Sequence, residues 1–447
     1  MIKAYANKFL NVLPYNLGRS IRNALPDRII NGKSFEHYIE KINAAEKWTI
    51  DEKKEFVIKK FNKLLFYAYN NIPFYRNFYH ENDFKPQTVQ SLEDIKQIPV
   101  VKKSDFQKID LYRRKGKKIK SLLSNTGGTT GQPLQFFLDK NIFSGKETSH
   151  MEKIWVSAGH KNNHIRLRFR GRNIGQHMYE YSAISKEIQL NMYLEPKNVA
   201  HSLMKHRCFK DIKTLHGYPG LIYETTRDWE KHCPEIIEKL NKQVVCILLS
   251  SELPIKSQRG YIETIYNAPS MSWYGHSEMA ILAYEKSEQY LYEPFVTYGY
   301  SESQCAPEGN HLVATAWDNY SHPFIRYDTE DLIEPQAIDD FMLAFKIKEG
   351  RTSDIIFDKF QRKISLTGLI FGQHHEILNH VDFIQISQDE IGSATIHLAT
   401  RNQSLPENYK ELFQTNNIAI DFKFDIRSKP YRSKNGKTPL LIKATEL

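Results

Sequence analysis

The chain has no paired cysteines. Cys208, Cys233, Cys246 and Cys305 are the only four in 447 residues, and no two form a Cys-x-x-Cys unit. That spacing excludes a disulfide framework and a compact cysteine zinc site, and leaves reduced thiols. Long apolar runs are missing too. The longest unbroken one, Val244 to Leu249, is far short of the roughly 20 residues of a membrane helix. The first residues lack the continuous apolar segment of a signal peptide, so a cytoplasmic protein is expected. There is no internal repeat, no low-complexity tract, no zinc-finger spacing and no aromatic-basic signature of an RNA-binding sheet. With Lys and Arg spread over the whole length, nucleic acid is set aside as a partner.

What is present is a globular composition, 40% hydrophobic and 12% aromatic, enough to bury the cores of two or three domains. The formal charge of +10 points to anionic partners without choosing among them. In the first 30 residues Lys3, Lys8, Arg19, Arg22 and Arg28 mix with Phe9, Leu10, Val12, Leu13 and Leu17, which suits peripheral contact with an anionic bilayer. Pro14 interrupts the pattern, and packing on the main domain is the stronger expectation. Up to about residue 350 the patterning is α/β: a helical segment over 51–80, a short helix opening at Ser91, and a buried strand from Val244 to Leu249. Beyond it the spacing predicts a helix over 369–378, strands about Gly392, another helix over 404–415, and a strand in which Ile418, Ile420, Phe422, Phe424 and Ile426 alternate with polar residues. The expected division is 1–349 and 350–447.

The stretch Ser124-Asn125-Thr126-Gly127-Gly128-Thr129-Thr130-Gly131-Gln132-Pro133 carries the chemistry most plainly. Glycines let the backbone approach an anion while Ser and Thr add small donors, so a phosphate cradle is expected rather than an ordinary polar turn. No Gly-Lys-Ser/Thr follows, so it is not a Walker loop. Tyr274-Gly275-His276-Ser277-Glu278 combines a ring able to cover a base with an acid able to reach a hard cation. Asp331 follows an apolar stretch, where a carboxylate can accept ribose hydroxyls; alone it reads as a strand-end turn acid. Glu349-Gly350-Arg351 offers a pivot and a forked donor, and Ser433 to Thr438 a basic loop; a linker and a soluble tail would look alike. Arg166, Arg168, Arg170 and Arg172 alternate with Leu167, Phe169 and Gly171, placing four guanidiniums on one strand face. It would suit either an anion (coenzyme A phosphates, a nucleotide-sugar, a lipid-linked diphosphate) or a solvated, edge-protecting role. His374 and His375 read as surface or satisfied residues.

In this order, and with Ala68 to Arg76, Ile98 to Lys103, His216-Gly217-Tyr218-Pro219 and Ser250-Ser251-Glu252, the chain resembles the adenylate-forming superfamily. Within it the likeness is to the phenylacetate-coenzyme A ligase branch, which includes the CapK-like proteins of polysaccharide gene clusters. The resemblance implies an α/β fold, with a large N-terminal domain of layered sheets and helices and a small mobile α+β C-terminal domain. It implies a ligase that converts a small-molecule carboxylic acid and ATP into an acyl-adenylate and pyrophosphate. Ser124, Thr126, Gly127, Gly128, Thr129, Thr130 and Gly131 would hold the triphosphate. Glu278 would hold Mg²⁺, while Ser251, Glu252, Tyr274, Gly275, His276 and Ser277 would surround adenine, and Asp331 and Arg351 would bind ribose. Lys437 is the candidate catalytic lysine, with Lys434 and Lys443 nearby.

Coenzyme A is the expected acceptor; a sugar amine or hydroxyl in surface polysaccharide assembly is the alternative, and a non-catalytic basic binding protein on the same fold the third reading. Two positions depart from the branch. Met279 to Lys286 has no cysteine where many members hold zinc, so no zinc is expected and Tyr284 is read as packing in its place. Glu330 stands where Gly usually precedes the ribose-binding Asp, so its charge either turns outward or weakens ATP binding. Oligomeric state, a homodimer included, is left open.

Overall fold

The structure is a computed structural model, and it describes residues 2–447 except 26, 33, 118, 127–133, 172–173, 252, 255, 307–308, 348–354, 371–374, 382, 401–404, 416–417, 429, 432–439 and 443–447. A hairpin of β1 (Ser121–Asn125) and β2 (Gln135–Asp139) precedes the main sheet. That sheet contains β3 (Ile165–Phe169), β4 (Tyr179–Ser182), β5 (Glu187–Leu190), β6 (Ile212–Gly217), β7 (Cys246–Leu249), β8 (Ser270–Gly275), β9 (Leu282–Tyr284) and β10 (Glu293–Pro294). Its order is β10-β9-β8-β7-β6-β3-β5-β4. The centre, from β5 through β3, β6 and β7 to β8, is parallel, and the margins are antiparallel. Next comes an antiparallel sheet of β11 (Gly299–Ala306), β12 (Gly309–Ala316), β13 (Tyr327–Ile338) and β14 (Phe341–Ile347). The C-terminal part holds the hairpin β15 (Ile355–Phe357) and β16 (Lys363–Ser365). Its small mixed sheet, β17 (Phe383–Glu390), β18 (Ser393–Ala399), β19 (Asp421–Arg427) and β20 (Leu441–Ile442), runs β19-β18-β17-β20. The chain is thus α/β, with a large N-terminal and a small C-terminal part.

In β3 and in β6 from Thr214 onward apolar and polar residues alternate, and the two faces of the main sheet differ as a result. Residues paired across a sheet share a face, as do alternate residues along a strand. Leu167, Phe169, Leu215, Ile247 and Leu249 fall on one face and are fully buried with Trp229, Ile236, Leu240, Ile262 and Tyr266. These come from helices over Pro219–His232, Pro234–Asn241 and Lys256–Tyr266. The other face carries Arg166, Arg168, Thr214 and His216 in register with Glu187, Gln189, Cys246 and Leu248. The Phe143–Ser157 helix crosses it, setting Trp155 over Arg166 with the guanidinium carbon 3.9 Å from the ring centroid.

Several local features follow from the sequence, with exceptions. The 51–80 segment is two helices, Ile50–Asn71 and Pro73–Glu81, because Ile72 before proline is extended (φ −112°, ψ 110°). Thr49 and Glu52 close a capping box at the first of them, and Ser91 caps Leu92–Lys96 in the same way. The helix expected over 369–378 is instead a short helix, Leu366–Ile370, and a 3-10 turn, Glu376–Asn379, about the undescribed 371–374. Described residues of 404–415 form turns rather than a helix: their apolar side chains pack on the small sheet without a helical ladder. The strands about Gly392 are β17 and β18, and Gly392 has φ +82° at their turn. The alternating run to Ile426 forms β19, but Ile426 itself is exposed at that edge strand.

The N-terminal helices Ile2–Val12 and Tyr15–Ala24 pack on the segment after β4. There Leu10 and Ile30 meet Ala183 and Ile184, and the buried Arg22 Nε donates to the Ile184 carbonyl at 2.7 Å. Phe9, Val12 and Leu17 stay exposed. No helix among the described residues is long and apolar enough to cross a membrane. All four cysteines are free thiols. The C-terminal core of Ile356, Leu369, Ile384, Ile396 and Phe413 also encloses Tyr193, from the segment after β5, whose hydroxyl donates to the Gly171 carbonyl at 2.8 Å.

Candidate active site

The end of β8 builds the site. Beyond Gly275 the chain turns, Met279 N–H donating to the His276 carbonyl at 3.0 Å with Met279 at φ +55°, and the turn drives Glu278 inward while Ser277 stays exposed. The buried Glu278 carboxylate accepts from the Tyr327 hydroxyl at 3.2 Å and lies 3.1 Å from His276 Nδ1. Burial alone would raise its pKa, but the adjoining His276 and the hydrogen bonds outweigh this and hold it below the usual carboxylate value. An ionised carboxylate with lone pairs to spare is the donor a hard cation needs. His276 Nε2 is buried and has no hydrogen-bond partner, so the ring has a second nitrogen to offer.

On β8 itself, the Tyr274 hydroxyl donates across to Asp331 Oδ2 of β13 at 2.5 Å, and the Tyr274 ring stands perpendicular to Phe345 at 5.4 Å. Asp331 is held on β13 beside a register shift between His311 and Val313. Glu330 there has φ +61° and is exposed. A left-handed conformation is one that glycine adopts without strain, and exposure turns the Glu330 charge outward.

The stretch expected to cradle phosphate begins in the β1–β2 hairpin. Thr126 and Leu134 close its base, Thr126 N–H donating to the Leu134 carbonyl at 3.0 Å and Leu134 N–H to Thr126 Oγ1 at 2.9 Å. Thr126 therefore works in the stem, and half-buried Ser124 pairs with Phe136 across it. Gly127 to Gly131 lie outside the described residues, as do Glu252, Arg351, Lys437 and Lys434. The stem reaches Glu278 through rings: Phe136 to Phe324 at 5.5 Å, Phe324 to Tyr327 at 5.1 Å, then the Tyr327 hydroxyl. Ser251 is exposed at φ +67° beyond β7. Next to it Ser250 N–H donates to the Gly217 carbonyl at 3.0 Å. Gly217 is required, since a Cβ there would meet the Phe169 carbonyl oxygen at 2.2 Å.

Three residues of the site escape the motif reading. Tyr327, which donates to Glu278, sits within the apolar stretch before Asp331. Glu147 is a second, half-buried acid, its Oε2 accepting from the buried Tyr298 hydroxyl at 2.5 Å. Burial raises the Glu147 pKa despite the opposing pull of Tyr298, Lys146 and His276. The signal was helical spacing: Glu147, His150, Met151, Ile154 and Trp155 form one stripe of the Phe143–Ser157 helix.

The arginine row is redistributed. Arg166 and Arg168 are interior and paired with Glu187, Arg170 lies beyond the strand end and is exposed, and Arg172 is outside the described residues. A solvated or edge-protecting face is thereby ruled out, because β3 is a central strand. His375 is a satisfied core residue, bonded to the Leu369 carbonyl and the Gln414 N–H and stacked 4.1 Å from Phe413; His374 lies outside the described residues. Tyr284 stacks on Phe295 at 4.8 Å. Among the described residues one group could chelate a metal, His201, Cys233 and Glu235. It lies on the helical layer over the apolar face and is one donor short of a closed zinc set.

No protein-family model matches the chain. It is similar to "Protein CapK" of Staphylococcus aureus, 22% identical over 417 residues that cover 89% of this chain and 88% of that protein. Its fold is similar to that of 2-hydroxyisobutyryl-CoA ligase. For that enzyme's complex with 2-HIB-AMP and CoA in the thioesterification state the TM-score is 0.53 at 16% identity, covering 88% of this chain and 90% of the other. For its postadenylation state with R3-HIB-AMP the TM-score is 0.52 at 15% identity, covering 89% and 90%.

Proposed function

With the fold of the adenylate-forming superfamily as the premise, we propose that this chain is an ATP-dependent ligase that activates a carboxylic acid as its acyl-adenylate and passes the acyl group to coenzyme A. The observation that carries the reading is the turn after β8, which fixes an ionised, buried Glu278 between His276 and Tyr327 beside the Tyr274–Asp331 pair. A carboxylate oxygen of the acid attacks the α-phosphorus of ATP, the bond to the pyrophosphate oxygen breaks, and pyrophosphate leaves. The coenzyme A sulfur then attacks the acyl carbon, AMP leaves with the bonding pair, and the thiol proton passes to solvent.

Such chemistry depends on in-line positioning and charge neutralisation. Asp331 accepts the ribose hydroxyls, with its orientation set by Tyr274, and Arg351 adds a second ribose contact. Ser251 and Glu252 border the adenine, and the 124–131 loop encloses the phosphates. Mg²⁺, which neutralises phosphate charge when bound, fits Glu278 because that carboxylate is ionised and has open lone pairs. Lys437 bridges the attacking carboxylate and the α-phosphate. Residues 350–447 form the swinging domain that delivers Lys437 and then withdraws it.

The test is ATP–pyrophosphate exchange with Mg²⁺ and pooled aryl, short-chain, hydroxy and amino acids, comparing the intact protein with Lys437→Ala and Glu278→Ala. Acid-dependent exchange that falls about a hundredfold in either variant is expected, the size of effect when one transition-state charge partner is lost. Absence of exchange with every pool, in protein that binds ATP, would sink the adenylation reading and favour a binding protein. Exchange followed by product without coenzyme A would move the acceptor to a sugar.

A further inference from the structure

The polar face of the main sheet is buried, and several of its side-chain nitrogens lack a hydrogen-bond partner. Arg166 is 6% exposed and His216 4%. Glu187 Oε2 serves both arginines, at 3.2 Å from Arg166 and 2.9 Å from Arg168. Arg166 also donates to the Ser185 carbonyl at 3.1 Å and feels Glu152, and Arg170 adds positive charge near Arg168. Even so, Arg166 Nη1, Arg168 Nε and His216 Nδ1 are buried without a hydrogen-bond partner. Buried donors of this kind each cost free energy unless an acceptor reaches them.

These groups connect to the site just described. The Trp155 ring lies 5.8 Å from His216, and His216 lies 5.4 Å from Trp273, the residue before Tyr274. Along the covering helix, Glu147 stands near His276 and Trp155 stands on Arg166. At 1.5 Å per residue about 12 Å of helix axis separates the two. Burial and the neighbouring arginines push the protonation of His216 well below its usual range, so it faces a ligand as a neutral imidazole.

We infer that this face holds the tail of the acid, and that the acid carries a second anionic group, carboxylate or phosphate, remote from the carboxyl that is activated. The inference rests on the adenylation reading for its activated end only. The forked donors of Arg166 and Arg168 match either anion, and Trp155 and Trp273 flank His216 between those arginines and Tyr274.

The experiment compares acids that differ only at the far end: octanoate, suberate and 8-phosphooctanoate, and phenylacetate against 4-carboxyphenylacetate. Each is measured by ATP–pyrophosphate exchange without coenzyme A, and by thermal shift without ATP. The expected result is a diacid preference of about tenfold or more in kcat/KM, the worth of one charge-assisted contact. That ratio collapses toward one in Arg168→Gln and falls partway in Arg168→Lys, which keeps the charge, loses the fork and serves if the first variant does not fold. The suberate and 8-phosphooctanoate arms distinguish carboxylate from phosphate. Exchange that treats monoacids and diacids alike overturns the inference while leaving adenylation intact. If no acid supports exchange, a thermal shift by diacids alone, lost in Arg168→Gln or reduced in Arg168→Lys, keeps the tail site and discards adenylation; no shift overturns the tail site as well.

Discussion

Leu167 and Arg168 are neighbours in β3, yet the first is sealed under helices and the second reaches buried polar space with a donor unpaired. The same contrast repeats in β6 with Leu215 and His216. Period-two geometry lets one set of strands make two surfaces with opposite energetics. The apolar face gains by excluding water from side chains of fixed shape. The polar face forgoes that gain and keeps charges in a place where they favour an anion. Within the main sheet, apolar burial therefore lies mainly on one face and buried charge on the other.

The widest test of the contrast is Ile247→Ala on the apolar face. A fully buried side chain truncated there should cost about 3–4 kcal/mol in urea unfolding, while exchange per folded molecule stays as in the parent. A large loss of specific activity would mean that the faces are not separable. Glu187→Gln on the polar face should cost about 3 kcal/mol, since it removes the shared acid from two arginines, and a diacid should restore part of the loss. A cost below about 1 kcal/mol would show that water already satisfies that face. The smallest effect is expected away from both, at Glu330→Gly. Relief of the left-handed strain there should outweigh the added chain entropy by about 0.5 kcal/mol, seen as a small rise in Tm.

The sequence made much of this legible because both kinds of signal are local. Alternation of Arg with apolar residues pointed to β3, the unbroken apolar run from Val244 to Leu249 located β7, and the cluster from Tyr274 to Glu278 marked the acid that the turn buries. What stayed hidden depended on partners distant in the chain. That Arg168 is interior follows from β5 and β6 lying on either side of β3, which no spacing within residues 166–172 encodes. Tyr327 of β13 reaches Glu278 only through the folding of the antiparallel sheet against the main one, and Tyr298, just before β11, reaches Glu147 on the Phe143–Ser157 helix. The 404–415 stretch had helical-looking composition, but Leu405, Tyr409 and Leu412 pack on the C-terminal core from turns, so tertiary contact overrode local preference.

Tyr193 gives the resting molecule a bias. Its ring is shut inside the C-terminal core while its hydroxyl stays tied to Gly171, so a large displacement of that core must strip the ring into water. Exposing such a side chain costs about 2 kcal/mol, which is roughly a thirtyfold bias. That contact alone weighs against the displaced arrangement, and a catalytic cycle that requires it would have to offset the cost elsewhere.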